Sequence, residues 1–131
     1  MIRETYCSYE VAKLLKKKGF NEKCRGGYHS EFDDNDNPIV MFEEWMTQPY
    51  NNNFVDEGFL CSAPTHQMAM AWLRKTYRID IVIEISDPSV KDRKYYCVIW
   101  NKSNDSYILD LFSSYEECVE AALKYCLENL I

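Results

Sequence analysis

Apolar residues recur every three or four positions in three segments of this chain, which is the spacing of one helix face. The first segment is preceded by Ser8, a good N-cap, and followed by Gly19, a typical helix stop. The second follows Thr65, whose hydroxyl can cap a first turn, and the third follows Ser114 and Glu117, a capping box. The pattern predicts three helices, over Tyr9–Lys18, after Thr65 and from Tyr115 to Leu130.

A second pattern, in which apolar and polar residues alternate, predicts strands with one side in water. It is clearest over residues 79–85, where isoleucines are separated by Asp80, Val82 and Glu84. The order α-β-β-α-β-β-β-α indicates an α+β fold, in which three helices pack on a mainly antiparallel sheet of about five strands. A long irregular loop is expected at about 46–60. The predicted strands are Tyr28–Phe32, Ile39–Trp45, Ile79–Ile85, Tyr95–Trp100 and Tyr107–Phe112.

Length and composition bound the kind of protein this is. The 131 residues suffice for one core, so we expect a single domain over 1–131. A hydrophobic content of 47% is too high for a disordered chain, and the apolar runs are too short to cross a bilayer. The first residues lack the apolar segment of a signal peptide, so we expect a cytoplasmic protein with no membrane contact. In that reducing compartment the six cysteines should be free, buried thiols.

The charges are unevenly distributed along the chain. The formal net charge is −6, yet residues 1–25 hold seven Lys or Arg and three Asp or Glu. Residues 26–70 hold eight Asp or Glu and no Lys or Arg. Such a segment repels polyanions, so a nucleic acid would have to contact the N-terminal end or the cations Lys91, Arg93 and Lys94. We therefore expect no nucleic-acid partner.

Three segments resemble known sequences: S-Y-E-V-A-K-L-L-K-K-K-G-F at 8–20, A-P-T-H-Q-M-A-M-A-W-L-R at 63–74 and Y-E-E-C-V-E-A-A-L-K-Y-C-L-E-N-L at 115–130. They are similar to short conserved hypothetical proteins of gut Bacteroidetes and their phages. The architecture of those proteins is similar to the phage-associated ABA-sandwich domain. The matching positions are helix caps and core residues, so the resemblance implies a fold and a phage-related origin but no catalytic residue.

Residues 65–131 have the same order of elements as double-stranded RNA-binding domains, helix–strand–strand–strand–helix. Such domains hold the duplex mainly through its shape and its phosphates. In that family a lysine cluster begins the last helix, whereas this chain carries Glu116, Glu117 and Glu120 there. These carboxylates repel phosphates. Nucleic-acid binding is therefore an alternative function that the charges oppose.

No sequence motif indicates catalysis or a cofactor. The P-loop, the dinucleotide-binding glycine pattern and the G-x-S-x-G nucleophile motif are all missing from the sequence. The two histidines, His29 and His66, have no cysteine at metal-ligand spacing, and we expect His66 to be an ordinary surface residue of a helix. We expect no cofactor and no metal, and a small enzyme without a recognisable motif is the second alternative.

One segment carries part of a calcium-binding pattern. Asp33, Asn35, Asn37 and Glu44 fall at positions 1, 3, 5 and 12 of the EF-hand loop. Position 6 of that loop requires glycine for a sharp turn, and here it is Pro38. We therefore interpret the segment as a polar turn between two strands.

The best candidates for a binding surface lie in and beside the long loop. Aromatic residues there, with a rim that lacks cations, favour a basic or amphipathic protein partner. The lysines of the first helix, Lys13, Lys16 and Lys17, are interpreted as a solvated face instead of a second binding patch. The sequence therefore predicts a non-catalytic protein-interaction module. Its candidate binding residues are Trp45, Tyr50, Phe54, Asp56, Glu57 and Phe59.

Overall fold

The computed structural model describes residues 4–32, 38–42, 51–53 and 58–131. The chain falls into two compact units, Met1–Thr65 and His66–Ile131. Each unit has its own sheet. The α+β class predicted from the sequence is confirmed, whereas the single-domain organisation stays a prediction.

All eight predicted elements are present in the predicted order, and the described residues add a ninth, the strand Phe59–Ala63. The strands of the described residues form two sheets of three strands each. The sequence pattern predicted a single sheet of about five strands instead. The helices are α1 (Tyr9–Lys17), α2 (His66–Tyr77) and α3 (Tyr115–Asn129). The strands are β1 (Gly26–Phe32), β2 (Pro38–Phe42), β3 (Phe59–Ala63), β4 (Asp80–Ile85), β5 (Tyr95–Trp100) and β6 (Ser106–Phe112).

The first unit is an antiparallel sheet in the order β2-β1-β3, and α1 packs against β3. α1 begins at the predicted cap, where Ser8 Oγ accepts a hydrogen bond of 3.2 Å from the Val11 amide. Beyond its last turn Gly19 has a φ of +94°, which confirms the predicted stop. Local signals in the sequence therefore define both ends of this helix.

The core of the first unit joins α1 to the sheet. Ala12 of α1, Tyr28 of β1 and two residues of β3, Cys61 and Ala63, form a buried apolar cluster. The Tyr28 hydroxyl donates a hydrogen bond of 2.7 Å to the carbonyl oxygen of Cys7. The one polar atom of this aromatic side chain is thus satisfied inside the core.

β3 is the strand that the sequence pattern does not reveal. Its sequence, F-L-C-S-A, lacks apolar–polar alternation, and its last three residues are buried in succession. Gly58 leads into it with a φ of +83°, and the Gly58 carbonyl accepts a hydrogen bond of 2.7 Å from the Ser30 amide. Because β3 is defined by pairing with β1, a distant segment, local periodicity could not predict it.

The second unit consists of α2, the antiparallel meander β4-β5-β6, and α3. Ser114 Oγ accepts a hydrogen bond of 3.1 Å from the Glu117 amide, which confirms Ser114 as the N-cap of α3. α3 contacts all three strands of the sheet. The apolar stripe predicted for this helix supplies its buried residues: Cys118, Val119, Ala122, Leu123, Cys126 and Leu127.

The two units share the order helix–strand–strand–strand but differ in sheet topology. The first strand of the unit, β1, is central in the first sheet, whereas the second strand, β5, is central in the second. A duplicated unit would keep one strand order, so the shared order of elements does not reflect a structural repeat.

Leu123→Ala should lower the free energy of unfolding by about 2–5 kcal/mol, because it leaves a cavity where α3 packs. Leu123 is fully buried, whereas Leu111 is 59% exposed and serves as the matched control. Leu111→Ala should cost about 0.5 kcal/mol or less. Urea unfolding followed by circular dichroism measures both values. A loss for Leu123→Ala as small as that of the control would remove α3 from the core.

Candidate functional site

The sheet of the second unit has one face covered by α3. The rings of Tyr95 and Tyr115 meet edge-on with centroids 6.1 Å apart, and those of Tyr107 and Tyr125 lie 5.7 Å apart. Tyr95 and Tyr107 therefore point toward α3, as does the fully buried Cys97. Because side chains alternate along a strand, the even-numbered residues of β4 and β5, together with Ser106 and Ile108 of β6, point the other way. The register between β5 and β6 shifts beyond Leu109, so that Phe112 pairs with Tyr95. We call this second side the outer face.

The strand register arranges the outer face in rows that run across the sheet. The middle row is entirely apolar, and each flanking row contains an aromatic side chain and a carboxylate. On β6, the exposed Asp110 follows the middle row, in the segment where the register between β5 and β6 shifts. The rows are Asp80–Trp100–Ser106, Val82–Val98–Ile108 and Glu84–Tyr96.

The apolar part of the outer face is exposed. The exposed fraction is 63% for Ile108, 42% for Trp100 and 40% for Val82. Single exposed apolar residues are ordinary on a protein surface and need no explanation. A contiguous apolar row on one sheet is different, since such surfaces typically bind another molecule.

Carboxylates surround the apolar row. Asp80, Glu84 and Asp110 are exposed, and the sequences of β4, β5 and β6 contain no Lys or Arg. Water screens these charges only partly at short range, so the outer face carries a negative field. The face therefore combines an apolar centre with an acidic rim, the arrangement expected of a surface that binds a basic, amphipathic segment.

The structure corrects the prediction for His66. The residue is buried, with 4% exposed, and its Nε2 lies 2.8 Å from Oε1 of Glu120 on α3. This interaction joins the first turn of α2 to α3. In the sequence, Glu120 counts with Glu116 and Glu117 as a carboxylate that would repel the phosphates of RNA. Because Glu120 bonds the buried imidazole of His66, it does not belong to that group. The two partners are 54 positions apart in the sequence, so no local pattern could predict this contact.

The binding surface predicted in the long loop falls largely outside the described residues. Phe59 is the one predicted residue that is described there: it begins β3, is half-buried, and packs edge-on against His29 with ring centroids 5.8 Å apart. This packing gives Phe59 a structural role in the first unit. The predicted residues outside the described part are Trp45, Tyr50, Phe54, Asp56 and Glu57.

The partial calcium pattern also lies mostly outside the described residues. This applies to Asp33, Asn35, Asn37 and Glu44, whereas Pro38 begins β2 and pairs with the last residue of β1. The interpretation of residues 33–37 as a polar turn stays a prediction.

The lysines of α1 make contacts within the first unit. Lys13 Nζ lies 4.6 Å above the ring centroid of Tyr9, within reach of a cation–π interaction. Lys16 Nζ donates a hydrogen bond of 2.6 Å to the carbonyl oxygen of Leu60 in β3. Lys13 and Lys16 thus make contacts within the first unit, and the interpretation of the lysines as a solvated face stays a prediction.

The cysteines are free and buried, which confirms the prediction from the sequence. Burial raises the pKa of Cys24 and Cys61 to about 11, and it raises the pKa of Cys118 and Cys126 to about 12. Only the thiolate is a good nucleophile or metal ligand. These four thiols are protonated at neutral pH, so their role is packing.

Comparisons of this chain with protein-family models, with curated proteins and with solved structures found no match. Within the described ranges, none of the helices combines the length and the apolar character needed to span a membrane.

The thiol of Cys126 should make stability depend on alkaline pH. An unfolded thiol ionises near pH ~8.5, whereas the folded pKa is about 12. The contribution of this thiol to the free energy of unfolding is therefore complete below the pKa of the unfolded state. It is lost as the pH rises toward the pKa of the folded state. Urea unfolding from about pH 7 to about pH 10 should show wild type losing its stability advantage over Cys126→Ala.

Comparison with Cys126→Ala is needed because tyrosines and lysines also titrate in this alkaline range. A stability difference between the two proteins that stays constant across the pH series would contradict the assigned burial of this thiol.

Proposed function

We propose that this chain is a non-catalytic protein-interaction module, and that the outer face of the β4-β5-β6 sheet binds its partner. The observation that carries the proposal is the apolar row Val82–Val98–Ile108 inside an acidic rim, in which Val82 and Ile108 are exposed and Val98 is half-buried. The resemblance of residues 8–20, 63–74 and 115–130 to phage-associated proteins supports an origin in phages or mobile elements for the module.

The chemistry of the face indicates the chemistry of the partner. Apolar side chains of the partner would cover Val82 and Ile108, and its Lys or Arg residues would approach Asp80, Glu84 and Asp110. Such complementarity favours a basic, amphipathic protein segment. A second copy of this chain suits the face poorly, because face-to-face association would bring these carboxylates against each other.

The described reactive groups favour a binding function over catalysis. His66 is buried and bonded to Glu120, so it is not presented to a substrate. Burial keeps the thiols of Cys118 and Cys126 protonated at neutral pH. A nucleophile needs the opposite environment, one that lowers the pKa of the thiol.

Nucleic-acid binding remains the alternative with a structural basis, because α2-β4-β5-β6-α3 has the order of elements of a double-stranded RNA-binding domain. Two observations oppose it. Glu116 and Glu117 are exposed in the first turn of α3, where that family carries cations. The charged residues of the sheet itself are all acidic, so phosphates would be repelled from this side as well.

Affinity selection from a random peptide library should enrich peptides that combine Lys or Arg with large apolar residues. The double variant Val82→Thr/Ile108→Thr should bind a selected peptide at least about tenfold more weakly, because truncating central apolar contacts typically costs more than 1 kcal/mol. Threonine keeps the β-branched shape, so the strands should be retained. Calorimetry measures the dissociation constants.

Val90→Thr is the matched control, since Val90 is a valine of similar exposure, 44%, that lies outside the sheet. It should bind the peptide as wild type does. Glu84→Gln should weaken binding and reduce its salt dependence, whereas Glu128→Gln on α3 should change neither. Enrichment of acidic peptides, or equal losses for the face and control variants, would refute this assignment.

The protein should not bind nucleic-acid duplexes at physiological salt. Phosphate contacts supply most of the non-specific affinity of proteins for nucleic acids. A negatively charged surface should therefore have a dissociation constant above ~10⁻⁴ M, the weak end of the range for non-specific binding. Gel-shift titration with RNA and DNA duplexes of about 20 base pairs, at low and physiological salt, measures this. Micromolar binding that weakens with salt would support the nucleic-acid alternative instead.

A further inference from the structure

A cleft in the second unit is lined by three of the eight Lys and Arg residues of that unit. It lies where the β4–β5 connection meets the β6–α3 connection, and its volume is about 500 Å³. The protein-interaction surface proposed above makes no use of it. Its lining residues are Lys91, Asp92, Arg93, Lys94, Tyr95 and Ser113.

The cations of the cleft are available to a ligand. Lys91, Arg93 and Lys94 are exposed, and within the described part of the chain their side chains form no ion pair or hydrogen bond. Asp92 is the single carboxylate among the lining residues, so the lining has a formal charge of +2. An anion with two or more negative charges would balance it.

The opposite wall adds groups that favour an anion. Ser113 contributes a hydroxyl and stands directly before Ser114, the N-cap of the 15-residue helix α3. The N-terminus of a helix carries a partial positive charge and amides without intrahelical partners. Among the hydrogen bonds described at the N-terminus of α3, Ser114 Oγ accepts one, from the Glu117 amide.

The same wall limits the size of the ligand. Glu116 and Glu117 in the first turn of α3 are exposed carboxylates that would repel a long polyanion passing beside the cleft. A compact anion held by the three cations exposes fewer negative charges to this repulsion than a long polyanion does. A guanidinium group is also well suited to a phosphoryl group, because its planar donors bind two oxygens at once.

We propose that this cleft binds the phosphoryl group of a small molecule. Arg93 contacts the oxygens through its planar donors, Lys91 and Lys94 neutralise the charge, and Ser113 donates from the helix side. Tyr95 lines the cleft, and its ring is held in place by edge-on packing against Tyr115. The remaining volume accommodates the group to which the phosphate is attached.

Titration of the ¹⁵N-labelled protein with inorganic pyrophosphate tests the proposal, with calorimetry to measure the dissociation constant. We expect saturable binding at one site in the millimolar range or tighter, with amide shifts at Tyr95 and Ser113. Arg93→Gln/Lys94→Gln should weaken binding at least about tenfold, because charge-assisted hydrogen bonds are lost. Ser113→Ala should weaken it a few-fold.

Lys102→Gln is the control, since Lys102 is an exposed lysine in the turn between β5 and β6. It should bind pyrophosphate as wild type does. All substituted charged side chains are exposed, so the variants should keep the wild-type melting temperature. The proposal is overturned by a lack of saturation at millimolar pyrophosphate, by an equal loss in Lys102→Gln, or by shifts confined to the lysines of α1.

Discussion

The packing of α3 on the sheet is the interaction on which the second unit depends. Residues of the helix stripe, such as Leu123 and Leu127, are fully buried, as are Cys97 and Ile99 on the central strand. Burial of this apolar surface is the main stabilising contribution available to a unit of this size. Because Cys97 and Ile99 of the central strand are used for this packing, the alternate positions Tyr96, Val98 and Trp100 face away from α3, as do their partners in the ladder. The outer face is therefore a consequence of how the core is built.

The elements with strong local signals were predictable from the sequence. Ser8 and Ser114 cap their helices as expected, because a cap is a contact between residues three positions apart. Two features were not predictable. β3 owes its existence to pairing with β1, and His66 is buried through a partner 54 residues away. Both depend on long-range contacts, which no window of the sequence contains.

The candidate site was harder to predict than the fold for the same reason. The sequence shows that β4 alternates and that β5 is apolar throughout, yet neither pattern states which side chains meet across the strands. Only the register brings Val82, Val98 and Ile108 into one row. The aromatic residues in and beside the long loop predicted a binding surface there instead. Composition predicted an acidic module with a basic or amphipathic partner, and the strand register shows an apolar row on the outer face.

We propose that a basic, amphipathic partner binds the outer face of β4-β5-β6. The most direct test is to map amide chemical-shift changes in the ¹⁵N-labelled protein while a selected basic peptide is added. The account predicts that the largest changes lie at Val82, Val98 and Ile108, with smaller ones at neighbouring positions of the same strands. Changes confined to α1 or to the helix-covered side of the unit, with the outer face unaffected, would contradict it.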